Sequence, residues 1–213
     1  MYRKIYNLLL KEYGEQGWWP CNSIYSQKFK DRERSQEEIF EIIVGAILTQ
    51  NTSWTNVEKA LSSLRKNNVL NRKKLVNLSD IELTQMIKSA GYYNQKVKKI
   101  REFLKFDKKI NRENLLGIWG FGPETVDSIL LYAYNKPIFV IDSYTKRIFS
   151  RIGLSSKNIS YTELQDLFYK NLKKDYKIFN EYHALIVEHA KQHCSSKPKC
   201  AGCCLNEVCK KNF

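Results

Sequence analysis

Apolar residues recur along this chain at the three- and four-residue spacing of a helix face. Phe40, Ile43, Val44, Ile47 and Leu48 set the pattern, Val57, Ala60, Leu61 and Leu64 repeat it, and Val97, Ile100, Phe103 and Leu104 repeat it again. The same spacing predicts helices over 122–134, 143–152, 161–172 and 178–193, and a short amphipathic helix from Met1 to Leu10. Ser53 is placed to cap the helix that follows it, and Gly91 to stop another. No stretch alternates apolar and polar positions as a strand does, and no internal repeat or low-complexity linker interrupts the pattern, although residues 105–113 are dense in Lys, Arg and Asp. The reading is an all-α fold of about ten helices with short connections.

Composition adds a partner class. The 213 residues are 43% hydrophobic, enough to bury a core in one large domain or two interlocked ones. Lys and Arg number 36 against 22 Asp and Glu, a net charge of +14, and such a field attracts polyanions. The longest clean apolar stretch, Ile42 to Leu48, is far too short to span a bilayer, and the N-terminus lacks the apolar run and cleavage site of a signal peptide. Nucleic acid is therefore favoured over membrane, and a cytoplasmic location is expected.

Cysteine usage adds a cofactor. Cys21 stands alone, while Cys194, Cys200, Cys203, Cys204 and Cys209 crowd into sixteen residues, as ligands do and a disulfide scaffold does not. The spacing Cys194-x5-Cys200-x2-Cys203-x5-Cys209 suits four thiolates on a [4Fe–4S] cluster. Zinc is the alternative, although structural zinc often uses two short cysteine pairs and a single C-x2-C stands out here. Cys204 can replace Cys203 as the third ligand.

The most informative stretch runs from Leu115 to Val126. A short helix enters the turn Gly120-Phe121-Gly122, and a second helix starts at Pro123, a residue suited to a first helical position. Glycines let backbone approach a nucleic-acid strand, and the free N–H groups of the next helix then face a phosphate. An ordinary helical hairpin reads the same way. About twenty residues on, Asp142 follows the apolar run Ile138-Phe139-Val140-Ile141 and opens the basic helix bearing Lys146 and Arg147. Asp142 can cap that helix, and a carboxylate held ionised there can also stabilise a positively charged transition state.

The hairpin, the Val140-Ile141-Asp142 element, the segment Gly91-Tyr92-Tyr93-Asn94-Gln95-Lys96 and the C-terminal cysteines together resemble the helix-hairpin-helix DNA glycosylase superfamily, the endonuclease III group in particular, over nearly the whole chain. The resemblance implies a bilobal all-α fold: a helical barrel over 26–136, and a cluster lobe from 1–25 with 137–213. DNA would cross the cleft between them, with Asp142 and the hairpin on its two sides. Bifunctional members carry a lysine just after the hairpin, where this chain has Glu124, and a carboxylate forms no Schiff base. The implied enzyme is monofunctional: water attacks the sugar, Asp142 stabilises the oxocarbenium-like centre, and an abasic site remains. A bifunctional lyase and a non-catalytic DNA-binding module are the competing readings.

A glycosylase must rotate its target base out of the duplex and hold it. Trp18, Trp19 and Pro20, with Trp54, resemble the pocket of the 3-methyladenine DNA glycosylase III branch and equally an archaeal-type uracil glycosylase branch. Ordinary core packing is the alternative for these aromatics. Gln50, in Leu48-Thr49-Gln50-Asn51-Thr52, matches the residue that fills the gap left in the DNA. Asn22, Tyr25, Asn51 and His183 are candidates for reading the base edge, whereas His183, His189 and His193 suit structural roles. Gly120, Gly122, Lys146 and Arg147 are expected on phosphates. In endonuclease III the first cysteine gap is one residue longer, and Cys203 is preferred over Cys204 because it restores the last two gaps. The expected partner is double-stranded DNA containing a damaged base, deaminated such as uracil or an alkylated purine, bound by a monomer.

Overall fold

The computed structural model describes residues 1–213, the side chain of Lys30 excepted. The helices run in the order α1 (Tyr2–Tyr13), α2 (Gln36–Leu48), α3 (Trp54–Lys66), α4 (Arg72–Leu75), α5 (Asp80–Ile87), α6 (Tyr93–Lys105), α7 (Arg112–Leu116), α8 (Pro123–Tyr132), α9 (Ser143–Ile152), α10 (Tyr161–Asn171) and α11 (Tyr176–Gln192). Short 3-10 turns cover Gln27–Asp31 and Lys88–Ala90. Among the described residues there is no strand, only one bridge between Cys21 and Ile24, so the all-α expectation holds. No helix is long and apolar enough to cross a membrane.

Local chemistry explains the boundaries. Ser35, Ser79 and Ser160 each accept from the backbone N–H three residues on, while Glu38, Glu82 and Glu163 reach back to the cap, giving three reciprocal capping boxes. Ser53 occupies the N-cap of α3, and Gly91 ends the turn before α6.

The chain divides into two compact units. The first comprises Met1–Trp18, Ser26–Asp31 and Asn135–Phe213; the second comprises Trp19–Tyr25 and Arg32–Tyr134. In this division 19–25 group with the hairpin unit and 26–31 with the tail unit. Gly17 O accepts from Ser26 N at 3.3 Å, closing the base of the 19–25 excursion within the first unit.

The second unit is built around α2, whose residues from Phe40 to Leu48 are all buried and which packs on α3, α6 and α8. One charge, Glu41, sits within this buried stretch. Glu41 accepts from Arg65 at 2.6 Å and from Asn22 N at 2.9 Å, which pins the tight turn at Asn22 and Ser23. Burial nevertheless pushes the Glu41 carboxyl up, the Arg65 charge opposing it.

In the first unit an aromatic core forms around Phe139, which stacks on Phe168 at 3.7 Å and meets Phe179 and Tyr182 edge-on. Phe139, Val140 and Ile141 are buried outside any helix and with no neighbouring strand. Side chains of α10 serve their backbone instead. Gln165 donates to Phe139 O at 2.6 Å, and the Tyr169 and Tyr161 hydroxyls accept from Phe139 N and Ile141 N.

Lys96 is fully buried, and its ammonium donates to Leu48 O at 2.9 Å and Ala90 O at 2.7 Å, capping two helical C-termini at once. Burial, with the Lys99 charge adding to it, lowers its pKa from 10.5 to about 8. The unfolded chain therefore binds more protons between those values. The Lys96 contribution to stability rises with pH across that window and is lost as pH falls through about 8. Denaturant titrations of wild type and Lys96→Met between pH 7 and pH 11 should show the stability difference moving in favour of wild type as pH rises. A pH-independent difference would show that burial leaves the Lys96 pKa where it is in the unfolded chain.

Candidate active site and nucleic-acid interface

The hairpin consists of α7, the turn Gly117–Gly122 and α8. Arg112 at the start of α7 grips the fully buried Asp127 of α8 through two contacts, Nε to Oδ1 at 2.7 Å and Nη2 to Oδ2 at 3.2 Å. This fork fixes the two helices against each other. In the turn, Gly120 has φ +80°, and a Cβ there would lie 2.5 Å from Lys99 Cε. Gly122 differs: it is the N-cap of α8 at φ −94°, with open space around it. Glu124 lies exposed in the first turn of α8.

Two lysines of α6 flank this turn. The Lys98 ammonium sits over the half-exposed Trp119 ring, 3.9 Å from its centroid. The Lys99 ammonium donates to Gln50 Oε1. Gln50 Nε2 in turn donates to Thr125 Oγ1 at 2.9 Å and reaches Gly120 O at 3.4 Å. The structure thus brings Gln50 and Gly120 together. Neither Lys99 nor Thr125 was visible as a partner from spacing, because both contacts depend on tertiary packing.

Of the expected pocket residues, Trp19, Pro20 and Trp54 fall in the second unit and Trp18 in the first. Trp19 is 4% exposed and meets Trp54 edge-on at 5.2 Å and Tyr132 at 5.3 Å. Its ring lies 3.1 Å from where a Cβ of Gly45 would stand, so glycine in the middle of α2 makes room for it. Trp54 is half-buried; its indole N–H donates to the Tyr25 hydroxyl at 2.6 Å, which donates to Glu58 at 3.0 Å. Asn22 and Asn51 are exposed turn residues with positive φ.

In the first unit Asp142 is the N-cap of α9. Its Oδ1 accepts from both Thr145 N and Thr145 Oγ1 at 2.7 Å, and its Oδ2 faces His183 Nε2 at 3.5 Å. Burial raises its pKa, but the His183 contact and the two Thr145 hydrogen bonds outweigh it, so the carboxyl is held below its ordinary value. His183 comes from α11, and no sequence spacing links it to Asp142. Arg147 spends its Nε on Cys194 O at 2.8 Å and stacks on Tyr144, while Lys146 is half-buried.

The tail makes a recess lined by Cys194, Cys200, Cys203 and Cys209, with Ile148 and Leu205 behind them. Cys204 is not part of that lining; its thiol lies beside Tyr13. Arg151 Nη1 approaches Cys194 Sγ at 3.3 Å, Lys211 N donates to Cys209 Sγ at 3.4 Å, and His189 Nε2 lies 3.7 Å from Cys203 Sγ. A basic, apolar-backed recess with one sulfur from each of four cysteines fits an anionic iron–sulfur cluster. Among the described residues no group of acidic, histidine or cysteine side chains converges closely enough to hold a single metal ion.

Residues 44–174 match the model of the HhH-GPD superfamily of base excision DNA repair proteins. A protein of Methanocaldococcus jannaschii named as a DNA repair glycosylase is 43% identical over 98% of this chain and 96% of its own length. Among solved structures, the 3-methyladenine DNA glycosylase of Helicobacter pylori bound to 1,N6-ethenoadenine is similar with TM-score 0.70 at 24% identity, covering 90% of this chain and 97% of that one. A non-covalent endonuclease III–DNA complex is similar with TM-score 0.78 at 19% identity, covering 98% and 94%. At these identities the two structures show a shared fold.

The two hairpin glycines should separate on substitution. Gly120→Ala places a side chain at positive φ, which costs about 1–2 kcal/mol, and displaces Lys99 as well. Gly122→Ala meets neither problem and should stay within about 0.5 kcal/mol of wild type. Chemical denaturation and duplex-DNA binding should both rank Gly120→Ala below Gly122→Ala. Equal behaviour would contradict this view of the turn.

Proposed function

The chain belongs to the HhH-GPD superfamily of base excision DNA repair proteins and is a DNA glycosylase, and we propose that it is a monofunctional one, releasing a damaged base and leaving an abasic site. The observation that carries this reading is Glu124 on the first turn of α8, directly after the hairpin turn. An amine there could attack the sugar and cleave the strand; a carboxylate has no such chemistry.

In this reading the two oxygens of Asp142 divide the work. Oδ1 is committed to Thr145 and fixes the carboxylate to α9. Oδ2, beside His183, is the oxygen that serves the reaction. As the glycosidic C–N bond breaks, its electron pair leaves with the base and positive charge grows on the sugar. The Asp142 charge stabilises that centre, and Oδ2 orients the attacking water and accepts its proton as the new C–O bond forms. Gly120, Gly122 and the N-terminus of α8 would hold the DNA backbone. The flipped base, deaminated such as uracil or an alkylated purine, would pack against the aromatic wall that includes Trp54, and Gln50 would fill the gap left behind.

The same reading places a [4Fe–4S] cluster on Cys194, Cys200, Cys203 and Cys209, supported by the shared recess and by the turning of Cys204 toward Tyr13. When bound it supplies a four-point crosslink of the tail. Arg151 and Lys211 would hydrogen-bond its thiolates, and His189 would shield one side.

Asparagine caps a helix as well as aspartate, so Asp142→Asn should keep α9 and duplex binding while base release falls about 10³-fold. A panel of duplexes carrying uracil, mismatched thymine, hypoxanthine, 8-oxoguanine and alkylated purines supplies the substrates. Full release by the variant sinks the mechanism, and strand nicking without alkali, with borohydride trapping, sinks the monofunctional assignment. Because the Asp142 pKa is depressed when folded, the stability from its charge is present above the ordinary 3.8 and lost as pH falls through the lower folded value, so wild type should lose its advantage over Asp142→Asn only in that acid range. For the cluster, Cys203→Ser should lose bound iron and the absorption near about 400 nm, and Cys204→Ser should keep both. The reverse result would exchange the two ligands.

A further inference from the structure

We propose that Lys99 is a positioning residue that parks Gln50 on the hairpin and surrenders it when a DNA phosphate arrives. The proposal rests on the reading of Gln50 as the residue that fills the duplex gap. The observed Gln50 is not free to do so, since both ends of its amide are occupied inside the second unit. Its Oε1 accepts from the Lys99 ammonium, and its Nε2 donates to Thr125 Oγ1 at 2.9 Å, with Gly120 O 3.4 Å away. A primary amide has one carbonyl and one NH2, so the position of the cation dictates that the NH2 points toward the hairpin.

Lys99 is also placed to meet the backbone that the hairpin would grip. Its stem lies across Gly120, close enough that a Cβ there would strike Cε at 2.5 Å and Cγ at 2.9 Å. The ammonium is half-buried and currently pairs with a neutral carbonyl, and burial depresses its pKa. A phosphate held at the start of α8 offers it a charged acceptor, which adds the attraction of opposite charges to the hydrogen bond that the neutral amide oxygen already gives. Transfer of Lys99 from amide to phosphate removes the contact that orients Gln50. The hairpin bonds from Nε2 alone then hold the side chain, and it can leave for the duplex. Grip on the backbone thereby precedes entry of the side chain, so Gln50 stays out of undocked DNA.

The full-length protein can be tested with a duplex carrying an abasic-site analogue beside 2-aminopurine, whose fluorescence reports insertion next to it. Stopped-flow traces should show insertion accelerated about tenfold in Lys99→Met, with the salt slope of binding reduced by about one. Thr125→Val, which loosens the other end of the amide without touching charge, should accelerate insertion and leave the salt slope unchanged. In a Gln50→Ala background Lys99→Met should no longer change the kinetics, yet should still lower the salt slope. Kinetic effects of Lys99→Met that persist without Gln50, or no acceleration with it, overturn the proposal. An unchanged fluorescence signal in Gln50→Ala alone overturns the gap-filling reading itself, and the proposal with it.

Discussion

A buried carboxylate that must stay charged is the constraint around which the first unit is organised. Asp142 lies where burial pushes its pKa up, and two short hydrogen bonds from Thr145 and the approach of His183 reverse that tendency. Capping and charge retention are one interaction, because the donors that complete α9 also solvate the anion. Everything upstream serves its placement. The run from Phe139 to Ile141 is anchored by a stacked aromatic core, and side chains of α10 supply hydrogen bonds to its backbone. The cost of burying unpaired backbone is thereby avoided without a sheet.

The second unit solves a different problem: how to present backbone to a polyanion without losing rigidity. Glycine supplies close approach at Gly120, and glycine is also the weakest residue for holding a shape. Rigidity is restored from outside the turn. Arg112 locks α7 to Asp127 on α8, and the α6 lysines brace both sides of the loop through Trp119 and Gln50. The basic excess seen in composition is therefore partly structural, since several cations are engaged with aromatic faces, carbonyls or carboxylates.

Much of this was legible in the sequence wherever the signal was local. Helix periodicity, Ser53 as a cap, Gly91 as a stop and Asp142 at the head of a basic helix all depend on residues within a turn or two of each other. The choice between Cys203 and Cys204 was open from spacing, since both satisfy ligand arithmetic; that Cys203 lines the recess while Cys204 lies beside Tyr13 is a difference that exists only once the tail is folded. His183 was a candidate for reading the base edge, but its pairing with Asp142 was out of reach for the same reason, as it depends on how α11 packs against α9. Trp19 shows the opposite difficulty. An aromatic pair before proline signals a site and a core equally, and Trp19 is buried beneath Gly45 as much as it is a wall beside Trp54.

Lys96 has a mechanical consequence. Its ammonium ties α6 to the end of α2 at Leu48, two residues before Gln50, and Gln50 reaches back through Lys99 to the same helix one turn later. Peptide and hydrogen bonds therefore form a small closed ring, Leu48 to Gln50 to Lys99 to Lys96 and back. In a ring of so few links no member can drift independently, so a displacement at one corner must be shared by the others. Positional error at Gln50 is then limited by the stiffness of two helices instead of by the loop in which it sits.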